Sequence, residues 1–117
     1  HQELELIVEA DLDRLGQALS NMLDNALRYG RGAVSLFALA HERCLELHLV
    51  DQGPGFDAEF LPRAFERFSR QDPARSRGGA GLGLSIVRVI AQAHGGDAYV
   101  RTSPQGGADV WLTIPCA

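Results

Sequence analysis

Three absences bound this 117-residue chain before any motif is considered. No apolar run approaches the ~20 residues needed to cross a bilayer, and no secretory signal peptide is recognisable, so the chain is expected to be soluble. There are only two cysteines, Cys44 and Cys116, far apart and without CxxC spacing. They make neither a zinc knuckle nor a redox motif, and as ordinary thiols they suit a reducing compartment. Basic residues are outnumbered, eleven against fifteen acids for a net charge of −4, which argues against a general nucleic-acid surface and requires any anionic ligand to find a local basic site. Internal repeats and linkers are also missing. What is present, 45% hydrophobic and 22% charged residues, fits one compact globular domain with a single core. His1-Gln2-Glu3 leads almost directly into a strand-like run without a natural start, so the chain is expected to be a piece of something longer.

The apolar pattern predicts the order β, α, ββ, loop, α, ββ. Leu4 to Val8 reads as a first strand. Asp11 can cap a helix whose apolar residues Leu12, Leu15, Leu19, Met22, Ala26 and Tyr29 keep helical spacing as far as Gly30. Ala33 to Ala40 and Cys44 to Val50 read as a hairpin turning at His41-Glu42-Arg43. A short helical piece is expected around Ala58 to Phe68, followed by a polar, glycine- and arginine-containing segment from Ser69 to Gly79, the chain's lid candidate (about 69–80). A second long helix spans about Leu82 to His94 and stops at Gly95-Gly96. Two last strands, Ala98 to Thr102 and Asp109 to Ile114, flank the Ser103 to Gly107 turn. Hairpins with long helices between them predict a two-layer α/β sandwich, a mostly antiparallel mixed sheet with helices on one face.

Three stretches carry chemistry. Gly78-Gly79-Ala80-Gly81-Leu82-Gly83-Leu84-Ser85 resembles a phosphate loop. It lacks the third glycine and preceding strand of a dinucleotide fingerprint, and the lysine of a P-loop. What remains is either a flexible glycine hinge or a glycine-rich helix start whose backbone N–H groups receive an anion. On the first helix, at about 100° per residue, Asn21, Asn25 and Arg28 fall on one stripe beside Asp24. That stripe is either a plain solvated face or a pair of amide oxygens suited to hydrated Mg²⁺ with a cation one turn on for phosphate. Asp51 follows Leu45, Leu47 and Leu49 in period two and so lies on the core side of its strand. Either Asp51-Gln52-Gly53-Pro54-Gly55 is turn chemistry, or the glycines admit a flat purine whose amino group donates to the carboxylate. An aspartate for a base, asparagines for Mg²⁺ and an arginine with a glycine-rich helix start for phosphates are together the parts of a Mg²⁺–nucleoside triphosphate site.

Over nearly its whole length the chain resembles the catalytic, ATP-binding domain of sensor histidine kinases, within the superfamily of gyrase-type and mismatch-repair ATPases. Asn21-Met22-Leu23-Asp24-Asn25-Ala26-Leu27-Arg28-Tyr29 is similar to that family's N box, and Asp51-Gln52-Gly53-Pro54-Gly55-Phe56 to its G1 box. Phe65-Glu66-Arg67-Phe68 matches the F box, and Gly79-Ala80-Gly81-Leu82-Gly83-Leu84 the G2 box. The resemblance implies a Bergerat-type fold in which Asp51 binds the adenine amino group, with Gly53 and Gly55 beside it. Asn25 would ligate Mg²⁺ with Asn21 close by, and Arg28 and Tyr29 would face the phosphates and sugar. Gly79, Gly81, Leu82, Gly83 and Leu84 would form the turn under the triphosphate. Arg70 and Arg75 match lid positions that approach the terminal phosphates, and Phe65 and Phe68 read as apolar anchors of that lid.

Gyrase-type relatives place a water-activating glutamate where this sequence has Asn21, which cannot accept a proton, so efficient hydrolysis is not expected. The family's reaction moves the γ-phosphoryl group to a histidine on a dimerising helical domain. None of His1, His41, His48 and His94 lies in a segment like that acceptor. The resemblance therefore implies a protein-histidine kinase domain that does not phosphorylate itself. Its partners would be the helical phosphotransfer domain of the same full-length protein and a response regulator receiver domain. The expected setting is the cytoplasmic part of a membrane-anchored bacterial sensor, with the isolated domain monomeric. A serine kinase of the anti-sigma type and a non-catalytic nucleotide-sensing module are the alternatives.

Overall fold

Asp11 starts the first helix by accepting, on one carboxylate oxygen, the N–H groups of Asp13 at 3.1 Å and Arg14 at 3.2 Å. Two of the four donors that a helix start leaves unpaired are thereby satisfied. The computed structural model describes residues 7–29, 31–56, 61–66 and 83–116. Its order is α1 (Leu12–Tyr29), β1 (Ser35–His41), β2 (Cys44–Val50), a short 3-10 turn (Leu61–Arg63), α2 (Gly83–Ala93), β3 (Ala98–Thr102) and β4 (Ala108–Pro115). The four described strands form one sheet in the order β1-β2-β4-β3, antiparallel throughout. Ile7 and Val8 lie in no strand, and the rest of the expected first strand, residues 4–6, falls outside the described residues.

The helices cover one face of the sheet. Ala18, Met22 and Ala26 of α1 and Leu84, Val87, Ile90 and Ala91 of α2 meet Leu49, Val110, Leu112 and Ile114 from β2 and β4 in a single core. Leu15 and Leu19 pack at its edge, but Leu12 is 83% exposed. Leu12 shares the helical spacing but stands in the helix's first turn, while Ala18 is fully buried.

The hairpin turn is one residue shorter than the spacing suggested. His41 still pairs with Cys44, leaving the two-residue turn Glu42-Arg43 with φ of 49° and 65°. Both residues are in the left-handed conformation that tight hairpins demand, although neither is the asparagine or glycine that usually signals it. At the other end α2 closes with Gly95 at φ 86°. The Gly95 N–H donates to the Gln92 carbonyl and the Gly96 N–H to that of Ala91, the paired bonds of a glycine C-cap. His94 ties this end to the start of α1. Its Nδ1 donates to the Ile90 carbonyl oxygen at 2.8 Å and its Nε2 accepts the Asp11 N–H at 2.9 Å.

Candidate functional site

One candidate group lies where β2 ends and β4 begins. Asp51, one residue past β2, is 6% exposed. Its backbone N–H donates to the Ala108 carbonyl at 3.0 Å, extending the β2–β4 pairing by one step. Its Oδ1 accepts the N–H of Gly53 at 2.7 Å and of Ala108 at 3.2 Å. Both bonds end on the same oxygen. Among the described residues Oδ2 meets no donor, although the carboxylate is buried. A buried carboxylate oxygen without a donor costs several kcal/mol unless something supplies one, so Oδ2 is an open valence of known chemistry: it fits an N–H donor, such as the exocyclic amino group of a purine.

Glycines shape the approach. Gly55 is buried with φ 79°, and a β-carbon on it would press into Thr102 and the Gly106 carbonyl oxygen. Gly107, which sequence spacing assigned only to a turn, matters as much. A β-carbon there would drive into the Asp51 carbonyl group. A glycine next to a strand marks a close backbone approach, and that was the available signal. Gln52 joins the site to the end of α1, its N–H donating to the Arg31 carbonyl at 2.9 Å and its Oε1 accepting the Ala33 N–H at 3.3 Å.

The asparagine stripe belongs to α1. Asn21 and Asn25 sit half-buried on α1 at the border of the core, and neither carboxamide has a partner among the described residues. The start of α2 reaches the same place, since a β-carbon on Gly83 would lie 4.0 Å from the Asn21 carbonyl oxygen. Half-buried, unpaired amide oxygens beside a helix N-terminus suit a hydrated divalent cation carrying an anion. No cluster of three His, Cys, Asp or Glu side chains that could hold a metal by itself occurs among the described residues. Arg28 is one turn on from Asn25 and pairs with Asp24 at 3.1 Å across the exposed helix surface. Leu84 is buried in the core, a packing position one step past Gly83.

The structure therefore brings together Asp51, Gly53, Gly55 and Gly107 as one group, and Asn21 and Gly83 as another. Arg70, Arg75, Gly79, Gly81, Leu82 and Phe68 lie outside the described residues, as do the lid segment and the Tyr29 side chain. Phe65 packs against the core with the Arg88 guanidinium 5.1 Å from its ring centre, as an apolar anchor should.

Comparison with known proteins agrees with this fold. The model of the family described as histidine kinase-, DNA gyrase B- and HSP90-like ATPase matches residues 10–117. Sensor histidine kinase component HK1 of Mycobacterium tuberculosis is 42% identical over 97% of this chain, which spans 67% of that protein. Of several other curated sensor histidine kinases the chain spans 19 to 30%. Among solved structures, the mycobacterial sensor histidine kinase MprB superposes with a TM-score of 0.83 at 34% identity, covering 93% of this chain and 76% of that one. Full-length ShkA in complex with AMPPNP gives 0.82 at 35% identity, covering 97% and 24%. The chain belongs to the histidine kinase-, DNA gyrase B- and HSP90-like ATPase family, as the catalytic ATPase domain of a sensor histidine kinase.

Proposed function

We propose that this single domain binds Mg²⁺–ATP and supplies the γ-phosphoryl group to a histidine on a partner helical domain, as the kinase core of a two-component sensor. The observation that carries this is the buried Asp51 with one oxygen filled by two backbone N–H groups and the other left for a donor. Asp51 orients the adenine through its amino group, while the Gly53 N–H holds its other oxygen and Gly55 and Gly107 let the backbone around it pack closely. Asn25, with Asn21 beside it, holds the cation, and bound Mg²⁺ supplies charge neutralisation on the phosphate oxygens. Arg28 and Tyr29 are assigned to the phosphates and sugar, and Gly79, Gly81, Leu82 and Gly83 to the triphosphate together with Leu84, which is packed in the core. Arg70 and Arg75 are assigned to the terminal phosphates. With Asn21 unable to take a proton from water, the site favours transfer over hydrolysis. Its catalytic contribution is positioning and electrostatics, the larger part of phosphoryl transfer.

The acceptor must come from elsewhere. Of the described histidines, His48 is buried between carboxylates, His94 is bonded through both nitrogens, and His41 ends an edge strand. In the ShkA complex the nucleotide is AMPPNP, the ligand class proposed here. A response regulator receiver domain would take the phosphoryl group onward. The test is to mix the domain with a purified helical acceptor domain and γ-labelled ATP. Label on the acceptor histidine is expected. Tight nucleotide binding without transfer would reject the kinase role and leave a nucleotide-sensing module.

A further inference from the structure

The face of the sheet that no helix covers among the described residues carries a second buried polar cluster. His48 on β2 is 5% exposed and Asp109 on β4 is 2% exposed. His48 Nδ1 lies 2.8 Å from Asp109 Oδ1, and His48 Nε2 lies 2.9 Å from Glu46 Oε1 on its own strand. Asp109 Oδ2 accepts from Arg101 Nε on β3 at 3.0 Å. The imidazole is sandwiched between Phe37 of β1 at 5.2 Å and Trp111 of β4 at 5.0 Å, both nearly parallel to it. Tyr99 continues the stack at 5.3 Å from Trp111, and Arg101 lies over Trp111 at 5.7 Å. The row crosses all four strands.

Its place in the register gives it meaning. Asp109 pairs with Val50, the last residue of β2, so it is the immediate neighbour of both Ala108 and the step that presents Asp51. Ala108 exchanges two backbone contacts with Asp51, one of them to the carboxylate. An apolar pair of similar volume would hold two strands together without the cost of burying charge. What a fully paired ionic network adds is a single permitted register.

We propose that Asp109, His48 and Arg101, with Glu46, are positioning residues that act from the helix-free face to hold the Asp51 carboxylate in its nucleotide-reading geometry. The inference rests on the assignment of Asp51 to the adenine. The groups facing His48 are Glu46 from β2, Asp109 and Trp111 from β4 and Phe37 from β1, with Arg101 of β3 reaching it through Asp109. Losing either polar contact of the ring loosens the β2–β4 junction beside Asp51.

The test uses the full chain in two ways. NMR compares the backbone N–H groups of Gly53 and Ala108 in wild type, His48→Gln and Arg101→Gln, the last a mild change at an exposed side chain, and both amides should shift in both variants. Calorimetry then measures Mg²⁺–ATP and Mg²⁺–ITP for the same three proteins. Both variants should bind ATP about fivefold or more weakly than wild type. Both should also lose preference for ATP over ITP, which a loss of general stability would not alter. Amides at Gly53 and Ala108 that stay in place in the variants, or variants that keep the wild-type ATP affinity and nucleotide preference, would overturn the relay. A folded wild type that binds no nucleotide would instead overturn the assignment of Asp51 to adenine, and the relay's claim on Asp51 with it.

Discussion

The two faces of the sheet treat buried polar atoms in opposite ways. On the helix-free face, every ring nitrogen and carboxylate of the Glu46–His48–Asp109–Arg101 group reaches a partner. On the helix-covered face, Asp51 keeps one oxygen unpaired and the carboxamides of Asn21 and Asn25 have no partner among the described residues. Burial makes each open valence expensive, and a fold tolerates such groups where a ligand completes them. The closed network serves the architecture, and the open one marks the site. Only one sheet thickness separates them, because Ala108 and Asp109 are consecutive and face opposite sides.

The sharpest way to break the contrast is to remove the charge from the open side. Asp51→Asn retains an oxygen for the Gly53 and Ala108 N–H groups but weakens the bond to adenine. ATP affinity should fall by about 2 kcal/mol, some thirtyfold, with little change in Tm. An unchanged affinity in calorimetry would show that Asp51 reads nothing. Gly107→Ala disturbs the same carboxylate from behind, and overpacking of this kind costs about 1–3 kcal/mol. For a domain of this size that lowers Tm by roughly 5–15 °C in a thermal melt, together with weaker ATP binding. A melt identical to wild type would mean the strand end yields easily. Asn25→Ala should erase the difference between ATP titrations in Mg²⁺ and in EDTA, a change of about 1 kcal/mol, while circular dichroism stays native. A persistent Mg²⁺ effect would place the cation elsewhere.

Two smaller changes avoid both polar groups and calibrate the rest. Asp11→Ala removes the α1 cap and should cost about 1 kcal/mol of stability without altering ATP affinity, as read by urea unfolding and calorimetry. Asp97 gives the smallest effect. Burial pushes its carboxyl up, but the Ala98 N–H, the hydrogen bond and charge of Arg88, and Gln92 outweigh this and leave it below its ordinary value. A carboxyl lowered on folding contributes stability that is fully present above its unfolded pKa and lost as the pH falls through the folded one. Arg88→Gln should therefore narrow the gap in stability between neutral and acidic pH, and an unaltered acid limb would show the pair to be a surface contact of no consequence.

Much of the placement of the candidate site was legible in sequence, for physical reasons. Period-two alternation places Asp51 on the leucine face, and Leu49 is indeed core. Helical spacing brings Asn21 and Asn25 to the border of the core. The hairpin turn was read one residue too long because Glu42 and Arg43 take up left-handed backbone without the residues that announce it. Leu12 has the right spacing but is exposed in the first turn of α1. The His48 relay was not legible at all. His48 and Asp109 are 61 positions apart, and only the register of β2 against β4 makes them neighbours.

The most direct test of an adenine-reading Asp51 is the affinity of the wild-type domain for ATP against ITP, which has a carbonyl oxygen in place of the amino group. Calorimetry in Mg²⁺ should show ATP bound about tenfold or more tightly, since the amino group donates to Oδ2 where the carbonyl oxygen would oppose it. Equal affinity for the two would contradict the claim that the open oxygen of Asp51 selects the base.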